Sequence, residues 1–360
     1  MFANCHLHST YSDGIYTPAQ LAALAKQVGH RAMVLTDHDT VKGIHQMEKA
    51  ARRAGLYTLL GCEFIVKGLG TGFHLLGYDF DPENAAMREL IERTSSRHRE
   101  RCHLLFEQGL RNGTLRPGIT WQDVLDASPD NDFFYYTQVF ALMEQRGIYR
   151  HEEYPQFIAD AFTPPKDSEP EIEAEIGFFT PDVEEVIHII NQADGVSVVA
   201  HPHNKQPYIA DLMAMGLRGI ETSHPSVLPE EKLFYDALCA EKRLYKLGGT
   251  DHASVLGGFA DLFPKKDRPV DCGNISEEDF MTLYTRALDL KKIRHSALCD
   301  GSYIVLIHLT RTAKAPNIFI ISHLYRKVKK NLIRTHNFSL SDKKAGNSFY
   351  RLSIVKRGIM

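Results

Sequence analysis

An α/β fold is predicted by three observations. Short apolar runs alternate with amphipathic helical stretches over the first eighty residues, the alternation lapses, and it resumes between about residues 180 and 260. Alternating elements of this kind imply a parallel sheet with helical crossovers. In "TPAQLAALAKQVG", Thr17 caps a helix, Pro18 takes its first position and Gly29 stops it. "RAMVLTDHD" is a short buried strand with polar residues at its end. "VKGIHQMEKAARRAG" is a second amphipathic helix, "LYTLLGCEF" a second apolar strand after it, and "GFHLLGYDF" a third. From Pro82 the pattern changes. "DPENAAMRELIERTSSRHRERCHLLFEQGLRNG" predicts one long helix capped by Asp81, and Thr120 with Asp123 has capping-box spacing for another. The alternation returns with the helix "TPDVEEVIHIINQADG", the strands "VSVVAHPHN" and "GIETSHP", a helix from Pro229 and the strand "RLYKLGGTDHA". The expected organisation is a discontinuous α/β part over 1–82 and 180–290, with a helical insertion over 83–179.

Charge marks a further boundary. Residues 291–360 hold 15 Lys and Arg against two acidic residues, leaving 27 basic and 43 acidic side chains before them. This basic extension of unclear architecture contains two apolar runs, "YIVLIHL" and "NIFIISHLY", and is a candidate contact for nucleic-acid phosphates. No apolar run approaches the ~20 residues that span a bilayer, and the N-terminus lacks the basic and apolar regions of a secretory signal. A cytoplasmic protein is expected. The six cysteines form no C-x-x-C pair, which argues against a zinc ribbon and a disulfide framework.

Polar residues gather where the strands end. His6 and His8 are two apart, so an extended chain presents both imidazoles on one face and turns Leu7 the other way. His38 follows "VLT", Glu63 follows "LLGC", His74 opens "HLLGY", His201 ends "VSVVA", and Asp251 and His252 follow "YKLGG". In parallel α/β barrels such ends converge in space. Imidazoles and carboxylates without thiolates suit Zn, Mn or Fe, with Mg a further candidate, and several of each suit a multinuclear cluster. Cys5 and Cys62 adjoin presumed ligands, and strand alternation turns them into the core. Asp37 and Asp39 read as residues that orient ligands or cap the next helix. His30, His45, His98, His103, His151 and His188 read as ordinary.

The motifs "HLHSTYSDG", "LTDHDT", "GCEF", "FHLLGY", "AHPH" and "GTDHA" resemble the polymerase and histidinol phosphatase (PHP) phosphoesterase family, over roughly 1–80 and 180–260. The resemblance implies a distorted seven-stranded (β/α) TIM-like barrel with two or three divalent metal ions. The helical insertion is similar to that of nucleotide and nucleoside-bisphosphate phosphatases. The resemblance assigns His6, His8, Glu63 and Asp251 to one metal, Glu63, His74 and His201 to a second, and Asp13, His38 and His252 to a third. It differs at two places. Asp251 and His252 are adjacent where the family has D-x-H, so Gly248-Gly249 is expected to loop and turn both inward. "YYTQVFALM" lacks the Arg-rich phosphate-binding motif of related nucleotide phosphatases.

The function implied is hydrolysis of a phosphate monoester of a small, nucleotide-like molecule by a metal-bridging hydroxide, with Glu63 and Asp251 central to catalysis. His203 is a spare ligand or phosphate contact, and His224 a candidate to touch the substrate and protonate its leaving oxygen. Phe133, Tyr135 and Tyr136 are candidates to stack on a base. Two competing readings are an amidohydrolase, which needs a metal-bridging lysine that neither Lys67 nor Lys205 matches in pattern, and a non-catalytic, metal-stabilised nucleic-acid-binding module.

Overall fold

The computed structural model describes residues 2–251 and 275–299, together with the strands Tyr303–His308, Lys343–Ala345 and Ser348–Lys356. The chain opens with β1 (Ala3–Asn4), followed by α1 (Pro18–Gln27), β2 (Ala32–Met33), α2 (Ile44–Ala54), β3 (Gly61–Gly68) and β4 (Thr71–Tyr78). Thr17 caps α1 in a reciprocal box with Gln20, and Pro18 leads it, as its spacing predicts.

β1 and β2 pair in parallel, but β3 and β4 form an antiparallel hairpin. The predicted all-parallel sheet is therefore corrected here. Only Leu69 and Gly70 separate the two strands, both with positive φ (50° and 74°). A two-residue turn of that kind reverses the chain directly and leaves no room for a crossover helix. β4 then pairs antiparallel with β5 (Val196–Val199), and β5, β6 (Gly219–Ser223) and β7 (Tyr245–Gly248) continue in parallel. The order β3-β4-β5-β6-β7 makes one five-stranded sheet, and β1-β2 a two-stranded one. Backbone hydrogen bonds join them: Cys5 N–H donates to Gly248 O, and Asp39 N–H to Glu63 O.

Between β4 and β5 lie the helices α3 (Ala85–Asn112), α4 (Trp121–Ala127), α5 (Tyr136–Gln145), α6 (Tyr154–Phe157), α7 (Glu169–Ile176) and α8 (Val183–Gln192). α3 starts at Ala85 rather than at Pro82, because Asn84 Oδ1 accepts the Ala86 and Met87 N–H groups while Asp81 to Asn84 forms a turn. Phe106, Phe140, Met143 and Phe157 centre a separate apolar core for these helices. α8 turns Val183, Val186, Ile187 and Ile190 into the sheet's core, each contributing roughly 1.5–3 kcal/mol of burial. α9 (Ile209–Ala214), α10 (Pro229–Lys242) and α11 (Glu277–Cys299) complete the α-helices among the described residues. None of the described helices is long and apolar enough to cross a membrane. Residues 286–360 form a second unit, in which β8 (Tyr303–His308) and β9 (Lys343–Ala345) flank β10 (Ser348–Lys356), antiparallel throughout. The run "YIVLIHL" thus contains β8, whereas "NIFIISHLY" lies outside the described residues.

One ionic knot ties α7 to α3 and β3. Glu173 accepts from Arg97 of α3 (3.1 Å), Lys67 of β3 (3.1 Å) and the Thr180 N–H (2.6 Å). Burial opposes its charge, but these donors win and hold its carboxyl down at about 2. A folded-state value below the unfolded one contributes stability that is complete above about pH 4.5 and is lost as pH falls toward 2. Glu173→Gln is expected to lower stability at pH 7 by roughly 2–3 kcal/mol, since Arg97 keeps Glu169 as a partner. Urea unfolding at pH 7 and pH 3 checks this, with the gap between variant and wild type narrowing at the lower pH.

Candidate metal centre

The extended stretch after β1 places the first histidines. The His6 carbonyl accepts the Thr250 and Asp251 N–H groups, and the Leu7 carbonyl accepts that of Thr36. Leu7 enters an apolar cluster with Leu21, Met33 and Met47, so both flanking imidazoles face the other way. Cys5 and Cys62 lie buried in the core, as strand alternation requires.

Glu63, fully buried, is the centre; it is the third residue of β3 rather than the end of a strand, because the strand begins only at Gly61. Its Oε2 lies 3.0 Å from His6 Nε2, 3.1 Å from His8 Nε2 and 3.3 Å from His38 Nδ1. Its Oε1 lies 2.9 Å from His74 Nδ1 and 3.3 Å from His201 Nε2. Asp251 adds a carboxylate 3.0 Å from His8 and 3.5 Å from His6. His74 reaches the same place although β4 runs opposite to β3, because its Cα partner on β3 is Ile65, two residues from Glu63 and therefore on the same face of the sheet.

Charge follows from this crowding. Burial opposes ionisation of Glu63, yet His6, His38, His74 and His201 together hold its carboxyl well below the usual range. Burial also opposes protonation of His6, but Glu63, Glu221 and Asp251 outweigh it and raise the imidazole well above its usual value. His38, where burial dominates, is pushed well below. Burial lifts Asp13 to about 6.

Four groups of donor atoms lie within 4.8 Å of one another: His6, His8, Glu63 and Asp251; His38, Glu63 and His74; His8, Asp13 and His38; and His6, Glu221 and His224. The first is the set expected for one metal. In the second, His38 stands with Glu63 and His74; His201 is 3.1 Å from His74 but outside the group. In the third, His8 joins Asp13 and His38, and His252 lies outside the described residues. The donors fit divalent cations for a specific reason. His6 Nε2, His38 Nδ1 and Glu63 Oε2 are buried and mutually close, yet none has a hydrogen bond of proper geometry. Buried donors and acceptors this close to one another, 3.0 and 3.3 Å from Glu63 Oε2 and without hydrogen-bond geometry, suit a cation held among them.

Asp251 is turned inward by its own backbone, at φ 52°. The chain leaves β7 after Gly248, as the expected loop requires, and His252 lies outside the described residues; the two glycines also serve close approach. A Cβ on Gly249 would stand 2.2 Å from His6 Cβ, and one on Gly248 2.6 Å from Ser223 O. His203 stays out of the cluster, with Nδ1 donating to Glu231 (2.9 Å) and Nε2 accepting from Asn204 (2.8 Å). His224 is within it, Nε2 3.5 Å from Asp251. Phe133 cannot stack on a base, because it is fully buried against the His38 and His98 rings. Asp37 organises the first loop, accepting from Ser9 N–H, Ser9 Oγ and Ser12 Oγ.

Two residues escaped the sequence reading. Glu221, fully buried on β6, holds His6 Nδ1 at 3.1 Å and accepts the His201 N–H at 2.6 Å. It is the middle residue of the strand "GIETS", so the strand-end rule did not mark it; its signal is a lone carboxylate inside a buried strand. His98, read as ordinary, is buried with Nε2 3.0 Å from Asp39. That contact joins α3 to the His38 loop, where Asp132 also accepts from Thr40 (2.6 Å), and no local pattern signals such pairing.

Residues 4–138 match the family model for the PHP domain. The chain is 27% identical over 286 residues to a 3',5'-nucleoside bisphosphate phosphatase of Chromobacterium violaceum, covering 76% of this chain and 94% of that protein. It is 25% identical over 265 residues to a phosphoribosyl 1,2-cyclic phosphate 1,2-diphosphodiesterase of Eggerthella lenta, covering 71% and 96%. A 37% identical match of 87 residues covers 24% of this chain and 32% of a 5'-3' exoribonuclease of Haemophilus influenzae, so the chain spans about a third of that relative. The fold is that of a candidate metal-dependent phosphoesterase of Bifidobacterium adolescentis, with TM-score 0.66 and 23% identity over 81% of this chain and 98% of the other.

Gly249→Ala is expected to push the backbone just after β7 off His6. Overpacking costs about 1–3 kcal/mol, and contact with main chain places this variant at the upper end. Elemental analysis after dialysis against Mn²⁺ should find at least one bound equivalent fewer than in wild type, with a lower Tm.

Proposed function

We propose, from the premise that this chain carries a PHP domain and is a metal-dependent phosphoesterase, that it hydrolyses a phosphate monoester on a small nucleotide-like molecule. The observation that carries the reading is the single buried Glu63 with imidazoles on both of its oxygens: three beside Oε2 and two beside Oε1. A carboxylate so divided suits two cations that would otherwise repel. We take the two sheets, joined by hydrogen bonds at β1 and β3, as the seven strands of a distorted barrel. The helices of 83–179 form the lid over it, and 291–360 is an extension with its own strands.

His6, His8, Glu63 and Asp251 would hold one cation, with His74 and His201 completing a second site at Glu63 and Asp13 and His38 serving a third. Bound divalent cations supply Lewis acidity that readies a water and neutralises charge building on the phosphoryl oxygens. The protein's share is orientation. Glu221 fixes the His6 ring through Nδ1, so Nε2 faces the cluster. Glu63, held ionised by its imidazoles, keeps the floor anionic. His224, 7% exposed and 2.7 Å from Ser226 through Nδ1, presents Nε2 beside Asp251, where it is placed to give a proton to the leaving oxygen.

Relatives named for a nucleoside bisphosphate and for a cyclic ribosyl phosphate support an ester carried on a ribose. The amidohydrolase reading loses its two lysines: Lys67 is bound to Glu173, and Lys205 to Thr71 and Gly72. Phosphate release from nucleotides, nucleoside bisphosphates and sugar phosphates tests the proposal. Glu63→Ala is expected to lower kcat by at least about 10³-fold and to lose bound metal, and chelation of wild type should abolish turnover reversibly. Equal release by wild type and Glu63→Ala would overturn it.

A further inference from the structure

Against the cluster, His74 and His201 line a cavity of about 290 Å³ whose other walls include Ile65, Phe73, Ala200 and Lys205. Its volume is near the lower end for small-molecule sites. Lys205 is the one lysine or arginine among the residues that line it. The ammonium donates to Thr71 Oγ1 and to Gly72 O, both at 2.9 Å, and stands 4.8 Å from the Phe73 ring centroid and 5.7 Å from that of Tyr208. An ammonium has three N–H donors, and these neutral acceptors use two. Lys67, Lys232 and Lys246 each face a carboxylate; among the described residues Lys205 faces none. Partial burial lowers its pKa, and the side chain is half-exposed at the cavity's edge with neutral groups as its protein partners.

Position gives the uncompensated charge a use. Gly72 and His74 are two residues apart on β4, so the ammonium's anchor and the cluster's edge are about 7 Å apart along one strand. The aromatic and aliphatic walls between them suit the organic part of a ligand that spans both ends. We infer that this cavity is the subsite for the leaving half of the ester, and that Lys205 there binds a second anionic group carried by the substrate. The inference rests on the phosphoesterase reading for placing the scissile phosphate at the cluster. Lys205 acts as a specificity residue: its third N–H and its charge select among esters, while the reacting phosphate belongs to the metal ligands.

The test compares the metal-loaded full chain with Lys205→Met and Lys205→Arg, using adenosine 3',5'-bisphosphate and p-nitrophenyl phosphate as probes. Lys205→Met is expected to weaken calorimetric binding of the bisphosphate by about 10- to 100-fold, the weight of one charge-assisted hydrogen bond. The ratio of kcat/KM for the bisphosphate over p-nitrophenyl phosphate should fall by the same factor, through KM, and Lys205→Arg should restore most of it. If the Met variant melts early, Lys205→Gln, which keeps a donor toward Gly72 O without the charge, takes its place. An unchanged ratio and unchanged bisphosphate binding would overturn the inference. Wild type that turns over neither probe would sink the phosphoesterase reading instead, and the calorimetric comparison would still decide the role of Lys205.

Discussion

Five imidazoles stand within 3.3 Å of one buried carboxylate, and the rest of the structure serves that crowding. Glu63 cannot be neutralised by protonating all five, because neighbouring imidazolium ions repel. Nor can it stay buried without positive charge nearby. A protonated imidazole balances one carboxylate, but five imidazoles on one carboxylate also leave buried ring nitrogens without hydrogen-bond partners, and such a surplus of donors suits divalent cations. Each imidazole comes from a different stretch of chain except His6 and His8, so holding them together demands close backbone contact at several points. That demand explains the local oddities: Gly249 pressed on His6, and positive φ at Asp39, His201 and Asp251.

The cluster is also graded in exposure. His6, His8, Glu63 and Glu221 are fully buried, whereas His74, His201 and Asp251 retain a quarter to a third of their side-chain surface. Burial on one side fixes geometry and strengthens electrostatics, and the open side admits a ligand. Behind the buried side, carboxylates set the rings: Glu221 for His6, and Asp37 for the loop that carries His8 and Asp13. The helices between β4 and β5 contribute here as well, since His98, Phe133 and Asp132 brace the residues around His38. Those helices therefore shape the site through its loops, with Phe133 spent on packing.

The sequence by itself determined which residues are chemically distinctive and which elements carry them. Helix starts at Thr17 and Thr120 were readable because caps act within four residues, and the inward pairing of His6 and His8 followed from the alternation of an extended chain. The recurrence of His and carboxylate at strand ends marked most of the cluster for the same local reason. Tertiary structure alone decided the rest. The direction of β4 hinges on a two-residue turn whose backbone, not its composition, sends the strand back. The pairing of His98 with Asp39 across about sixty residues, the removal of His203 by Glu231, and the mixing of His8 and His38 between donor groups all depend on distances that no local pattern encodes. Periodicity tells which way a side chain faces; only packing tells what it meets.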